Sequence, residues 1–174
     1  LSSQDLLSLQ RAGAGQARVR RLSQILGVSQ SAFLLPDLDS AFESYYATRA
    51  NSATLRDYGQ MLAALQAGRA LEPDATHDLL DVMARVQTGT HRIRAGLPAG
   101  ARFAHKTGTQ HRRICDSGIV TMPARGAAAP VQVVVAACVR GAGTAASERA
   151  LRALVAALTA SGVFEQPSSP RPDR

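Results

Sequence analysis

Lysine is nearly missing from this chain. Of 174 residues, 20 are lysine or arginine, and only Lys106 is a lysine. Tryptophan is absent and aromatic residues make up 4%. So few rings argue against a surface that stacks nucleic-acid bases, even at a net charge of +7. The arginines are dispersed along the chain, Arg11, Arg56, Arg92 and Arg152 among them, and form no basic stripe, so no nucleic-acid partner is expected. No apolar run reaches the ~18 residues of a membrane span. No charged segment leads into an apolar core at Leu1, so no signal peptide is read there. Two cysteines, Cys115 and Cys138, are too few for a disulfide scaffold or a metal cluster, and no Cys/His spacing suggests a metal site. Neither metal nor cofactor is expected.

What remains is ordinary globular material, 45% hydrophobic and rich in Ala, Val and Leu, enough for a sizeable core. Residues 3–12 and 16–26 have apolar residues at helical spacing, broken at Gly13-Ala14-Gly15 and stopped by Gly27. Residues 28–52 show no clear period and read as a long irregular loop. Thr54 caps a helix over 55–67, and Pro73 opens another that runs to about residue 87. After a Gly/Pro-rich connection the period changes. Residues 101–109, 114–122 and 131–140 read as strands, with a hairpin loop from Pro123 to Pro130. A helix over 146–161 closes the pattern, and the Pro-rich tail 167–174 reads as disordered. The expectation is one α+β domain over 1–166. In it helices precede a three-strand antiparallel meander with the C-terminal helix packed on it.

The single lysine stands in Phe103-Ala104-His105-Lys106-Thr107-Gly108-Thr109, on the first predicted strand. The turn Leu97-Pro98-Ala99-Gly100 precedes it, and Asp116-Ser117-Gly118-Ile119-Val120 follows on the next strand. With Ala53-Thr54-Leu55-Arg56-Asp57 upstream, this order resembles the class A β-lactamases and related penicillin-recognising serine hydrolases over most of residues 50–162. Lys-Thr-Gly is that family's third signature. The first, Ser-x-x-Lys, carries the nucleophile and needs a second lysine, which this chain does not have. The chain therefore reads as the later part of such an enzyme or as a degenerate relative, inactive on β-lactams by itself.

The resemblance implies roles. Lys106 projects a positive charge toward the carboxylate of a β-lactam or a cell-wall peptide and favours proton movement. Thr107 adds a hydroxyl for the same carboxylate, Gly108 leaves room along the strand, and the Thr109 N–H is an oxyanion donor. Ser2, in Ser2-Ser3-Gln4, matches the family's proton-passing serine; as plain sequence it is also a helix N-cap. Arg92 is the favoured arginine near the substrate carboxylate, with Arg113 as a second candidate. His105 points away from the cleft by strand alternation, and His111 stands at its rim. The stretch Leu35–Glu43 matches the loop that carries the deacylating glutamate. It has no Glu-x-x-x-Asn; Glu43 is its only glutamate, and Asp37 or Asp39 are stand-ins at best, with turn chemistry the plainer reading of the aspartates.

Three readings stay open: a β-lactamase-type hydrolase, a D,D-peptidase or esterase-like relative, and a non-catalytic binder of cell-wall peptides. The resemblance also implies a periplasmic or secreted protein. For the cysteines, a hairpin centred between residues 126 and 127 sets Cys115 opposite Cys138, as two buried thiols or, in an exported protein, a cross-strand disulfide.

Overall fold

The computed structural model describes residues 1–13, 15–124 and 129–165, which divide into two compact units, Leu1–Ser52 and Ala53–Arg174. The first unit is helical. Helix α1 (Ser3–Arg11) starts at Ser2, whose hydroxyl accepts the Asp5 N–H at 3.1 Å while the Asp5 carboxylate accepts the Ser2 N–H at 2.7 Å. That reciprocal box satisfies two of the donors every helix start leaves open. Helix α2 (Gln16–Leu26) ends at Gly27, at φ 65, where a left-handed residue costs glycine little. Arg21 Nε donates to Ser8 Oγ at 2.6 Å and ties α2 to α1.

The expected irregular loop over 28–52 is corrected. It holds a 3₁₀ turn, Gln30–Ala32, and a helix α3 (Leu38–Ala47). Asp37 caps α3, accepting the Ser40 N–H at 2.7 Å. Leu38, Ala41, Phe42, Tyr45 and Tyr46 recur at helical spacing, and the Phe42 and Tyr46 rings meet at 5.8 Å. Pro36 and the serines around it hid this period.

In the second unit, Thr54 Oγ1 accepts the Asp57 N–H at 3.1 Å and starts α4 (Leu55–Gln66). Pro73 opens α5 (Pro73–Ala84), which stops three residues short of the expected end. The connection after it contains a 3₁₀ turn, Ile93–Gly96. Strands β1 (Arg102–Gln110), β2 (Arg113–Met122) and β3 (Val131–Arg140) form one antiparallel sheet in the order β1-β2-β3, and α6 (Thr144–Ala160) follows. This is the expected α+β meander. The tip of the β2–β3 hairpin, 125–128, and the tail expected over 167–174 lie outside the described residues.

Register and alternation give the sheet two covered faces. On one, Phe103, Ile114, Val120, Val135 and Ala137 pack with Ile93 against Leu151 and Val155 of α6. Burying each such aliphatic side chain contributes about 1.5–3 kcal/mol. On the other, Ala104 and Val134 meet Leu62 and Leu65 of α4 and Met83 of α5. The sheet is therefore clamped by helices on both sides, where the sequence suggested α6 alone. Strands β1 and β2 approach closely at Gly118: a Cβ there would lie 2.2 Å from the Ala104 carbonyl oxygen. Among the described residues no helix is long and apolar enough to cross a membrane.

Candidate functional site

Lys106 lies on β1, the outermost strand next to β2, and is exposed; its Nζ donates to the Thr107 carbonyl at 2.6 Å. Alternation sorts the motif onto two faces. Lys106 pairs with Ser117 and Gly108 with Cys115, while Thr107 pairs with Asp116 and Thr109 with Ile114 on the α6 side. The motif residues thus meet along the edge strand rather than on one face of it.

The two threonines are held from the connection between α5 and β1. Thr107 Oγ1 lies 2.7 Å from Thr88 Oγ1. Gly89, at φ +73, packs so close that a Cβ on it would stand 2.5 Å from Thr107 Cγ2. Thr109 Oγ1 accepts from Arg92 Nη2 at 2.8 Å. Arg92 is 6% exposed. Its Nη1 donates to the Gly108 carbonyl at 3.2 Å and the Cys115 carbonyl at 2.9 Å, and its Nε to Glu148 Oε1 of α6 at 3.2 Å. A planar five-donor group is the side chain that can serve two carbonyls, a hydroxyl and a carboxylate at once. So Arg92 knits β1, β2 and α6 together behind the motif.

Arg113 begins β2, opposite Gln110 and Arg140. It is four residues, about 13 Å of strand, from the Lys106 partner Ser117. His105 is fully buried, its Nδ1 2.7 Å from Asp116 Oδ1 and its ring stacked on Phe103 at 4.4 Å. It sits inside the α6 face, as alternation requires. His111 lies with Arg112, at φ 49, in the turn between β1 and β2.

Ser2 belongs to the first unit, where its hydroxyl donates to Asp5 Oδ2 at 2.8 Å besides accepting the Asp5 N–H. The Ser2 backbone N–H, then the Ser2 hydroxyl, hold the Asp5 carboxyl below its ordinary value of 3.8. Ser40, through its backbone N–H first, does the same for Asp37. Asp37 thus does the turn chemistry that its place after Pro36 suggests, and Asp39 and Glu43 lie on α3.

Cys115 and Cys138 form a disulfide, opposite one another in the expected register, with Cα atoms 4.1 Å apart. Of the two alternatives this is the cross-strand disulfide, and only the expected burial is corrected. Cys138 is exposed and Cys115 half-buried, because their row lies four residues along the strands from the Ala104–Ile119–Val134 row that α4 and α5 cover.

Sequence reasoning missed Thr88, Asp116 and Glu148. Asp116 had a signal: a carboxylate at an inward position of an apolar strand needs a partner. Thr88 and Glu148 had none, since their bonds span 19 and 56 residues.

With this geometry in hand, comparison with known proteins is specific. A model described as the Beta-lactamase enzyme family matches residues 7–161. The β-lactamase of Mycobacterium tuberculosis (strain ATCC 25618 / H37Rv) is 45% identical over 64 residues, which cover 36% of this chain and 21% of that protein. The crystal structure of a β-lactamase from Sphaerobacter thermophilus DSM 20745 superposes with a TM-score of 0.54 at 29% identity, covering 66% of this chain and 42% of that one. A β-lactamase from Xanthomonas campestris pv. campestris str. ATCC 33913 gives 0.54 at 31% identity, covering 61% and 39%. A mutant of PBP-A, solved as its acyl-enzyme complex with penicillin G, gives 0.53 at 27%, covering 61% and 38%. The chain spans about a fifth of the length of the curated relatives it matches and about two fifths of the solved ones.

Proposed function

The chain belongs to the β-lactamase enzyme family, and from that premise we propose that it supplies the carboxylate-binding and oxyanion edge of a serine hydrolase that opens β-lactams through an acyl-enzyme. The observation that carries the proposal is the combination at β1. An exposed ammonium, two held threonine hydroxyls and a bare glycine follow one another at the outermost strand next to β2. Nothing in the fold demands that glycine. A Cβ at Gly108 would come no closer than 3.4 Å to its neighbours, in contact with Cys115 alone, so its lack of a side chain serves an incoming ligand. Lys106 and the hydroxyls of Thr107 and Thr109 take the ligand carboxylate. The Thr109 N–H faces the acyl oxygen as charge develops there. Arg92 acts from beneath, holding Thr109 and the Gly108 carbonyl in place. Arg113 stays at the start of the central strand β2, four residues from the Lys106 partner Ser117. Ser2, in the first unit, gives its hydroxyl proton to Asp5 Oδ2 and its oxygen to the α1 cap.

With one lysine in the chain, the Ser-x-x-Lys nucleophile comes from outside these residues. The isolated 174-residue chain is expected to leave the chromogenic cephalosporin nitrocefin intact, and an enzyme joining it to a Ser-x-x-Lys segment to turn it over. In that enzyme Lys106→Ala removes a charge beside the substrate carboxylate. The cost is on the order of 2–4 kcal/mol of transition-state binding, roughly 30- to 1000-fold in kcat/KM. Melting temperature should barely change, because an exposed lysine contributes little to stability. Unchanged acylation with a large fall in melting temperature would make Lys106 structural and overturn the proposal.

The commitment of Asp37 to the α3 cap favours a second reading, in which deacylation is slow and the protein traps β-lactams as a penicillin-binding relative does. A burst of one equivalent of nitrocefin without steady turnover would select it. Either reading places the protein outside the reducing cytosol, which suits the Cys115–Cys138 disulfide.

A further inference from the structure

We infer that Thr88, on the connection between α5 and β1, is a positioning residue that makes the Thr107 hydroxyl an outward donor to a carboxylate ligand. The inference rests on the carboxylate-binding reading of the β1 edge and adds a residue and a selectivity to it. The argument counts protons. A threonine hydroxyl has one proton to give and two lone pairs to offer. Arginine has donors only, so the Arg92 Nη2 bond to Thr109 Oγ1, 2.8 Å, has a fixed direction. Thr109 accepts there, and its own proton is released toward another acceptor.

Thr107 meets the same problem with a neutral partner. Only one of the two protons fits in the 2.7 Å between Thr88 Oγ1 and Thr107 Oγ1. A carboxylate at the strand edge presents acceptors alone. It draws the Thr107 proton outward, and the Thr88 proton fills the gap behind it. Each bond in that chain of hydroxyls polarises the other. The rotamer is pinned as well: Thr88 holds the oxygen, and Gly89 sits against the methyl, where a Cβ would come within 2.5 Å of Thr107 Cγ2. Thr107 and Thr109 share a face two positions apart, about 7 Å along the strand. The result is a rail of two backed hydroxyl donors with the Lys106 charge beside it. It suits a free carboxylate and rejects a primary amide, which sets donor against donor.

The test titrates the 174-residue chain with N-acetyl-D-alanyl-D-alanine and with its C-terminal amide, following the threonine methyl signals by NMR. The carboxylate peptide should shift Thr107 and Thr109 saturably and the amide should not. Thr88→Val, which keeps the shape, should raise the carboxylate Kd about three- to tenfold, the worth of one neutral hydrogen bond, and Thr88→Ser should restore it. A merely structural Thr88 would instead move the melting temperature and leave the preference for carboxylate over amide intact. If Thr88→Val binds the carboxylate as wild type does, the relay is overturned and the carboxylate site stands. If the wild-type chain shows no saturable shift, or takes the amide equally well, the carboxylate reading itself falls, and the relay with it.

Discussion

Arg92 is the residue whose loss should be felt most. Its guanidinium is nearly sealed from water and satisfies four acceptors on three elements, with Glu148 79% covered beside it, the complement of its 21% exposure. Arg92→Ala strips partners from the Gly108 and Cys115 carbonyls, the Thr109 hydroxyl and the Glu148 carboxylate at once. A buried acceptor left unpaired costs about 1–3 kcal/mol. Water will reach the partly open Glu148, so the four do not add in full. The expected loss is about 3–5 kcal/mol, the range for removing one partner of a buried pair. Against a domain stability of roughly 5–15 kcal/mol that is a large share. Arg92→Lys should recover only part, because an ammonium cannot span both carbonyls and Glu148. The control is Arg85→Ala: Arg85 meets Asp81 at 3.7 Å on an exposed turn of α5, a pair worth about 0.3–0.5 kcal/mol. Urea unfolding followed by circular dichroism compares the three. A loss at Arg92 below about 1 kcal/mol, or equal to that at Arg85, would refute the claim that this guanidinium holds the strands and α6 together.

The disulfide and the helix caps yield two further expectations. Cys115→Ala/Cys138→Ala opens a crosslink across 23 residues, worth about 3 kcal/mol in chain entropy as an upper value since the hairpin still pairs. Because Cys138 is exposed, millimolar dithiol should open the bond without denaturant, as alkylation and mass spectrometry would show; a requirement for urea would contradict the placement. The caps respond to acid. Asp5 and Asp37 titrate below 3.8 in the folded chain, so what they contribute is present above that pH and lost as pH falls through the lowered values. Helical signal should therefore decline on acidification below about pH 4, and Asp37→Asn should blunt the part that belongs to α3. An α3 signal flat from pH 5 to 2 would show that this cap does not matter to it.

Much of this protein was decided locally and is readable as sequence. Helix starts at Ser2, Thr54 and Pro73 follow from one side chain reaching its own backbone three residues on, or from a fixed φ, and need no partner elsewhere. The β2–β3 register follows from the turn and the period of two, and it placed Cys115 opposite Cys138 before any contact was known. The Lys106-Thr107-Gly108 strand was likewise legible. Helix α3 was also local, but Pro36 and scattered serines drowned its apolar spacing. What only the tertiary structure decided are contacts between elements far apart in the chain. Alternation could place Lys106 and Thr107 on different faces, but not say that Thr88 and Gly89 close over Thr107. Nor could it say that Arg92, a residue of unremarkable surroundings in sequence, is buried against β1, β2 and α6. The covering of one face of the sheet by α6 and of the other by α4 and α5, and the exposure of the disulfide beyond that second cover, are likewise contacts between distant segments. Spacing along the chain encodes which way a side chain points; it takes folding to determine what it meets there.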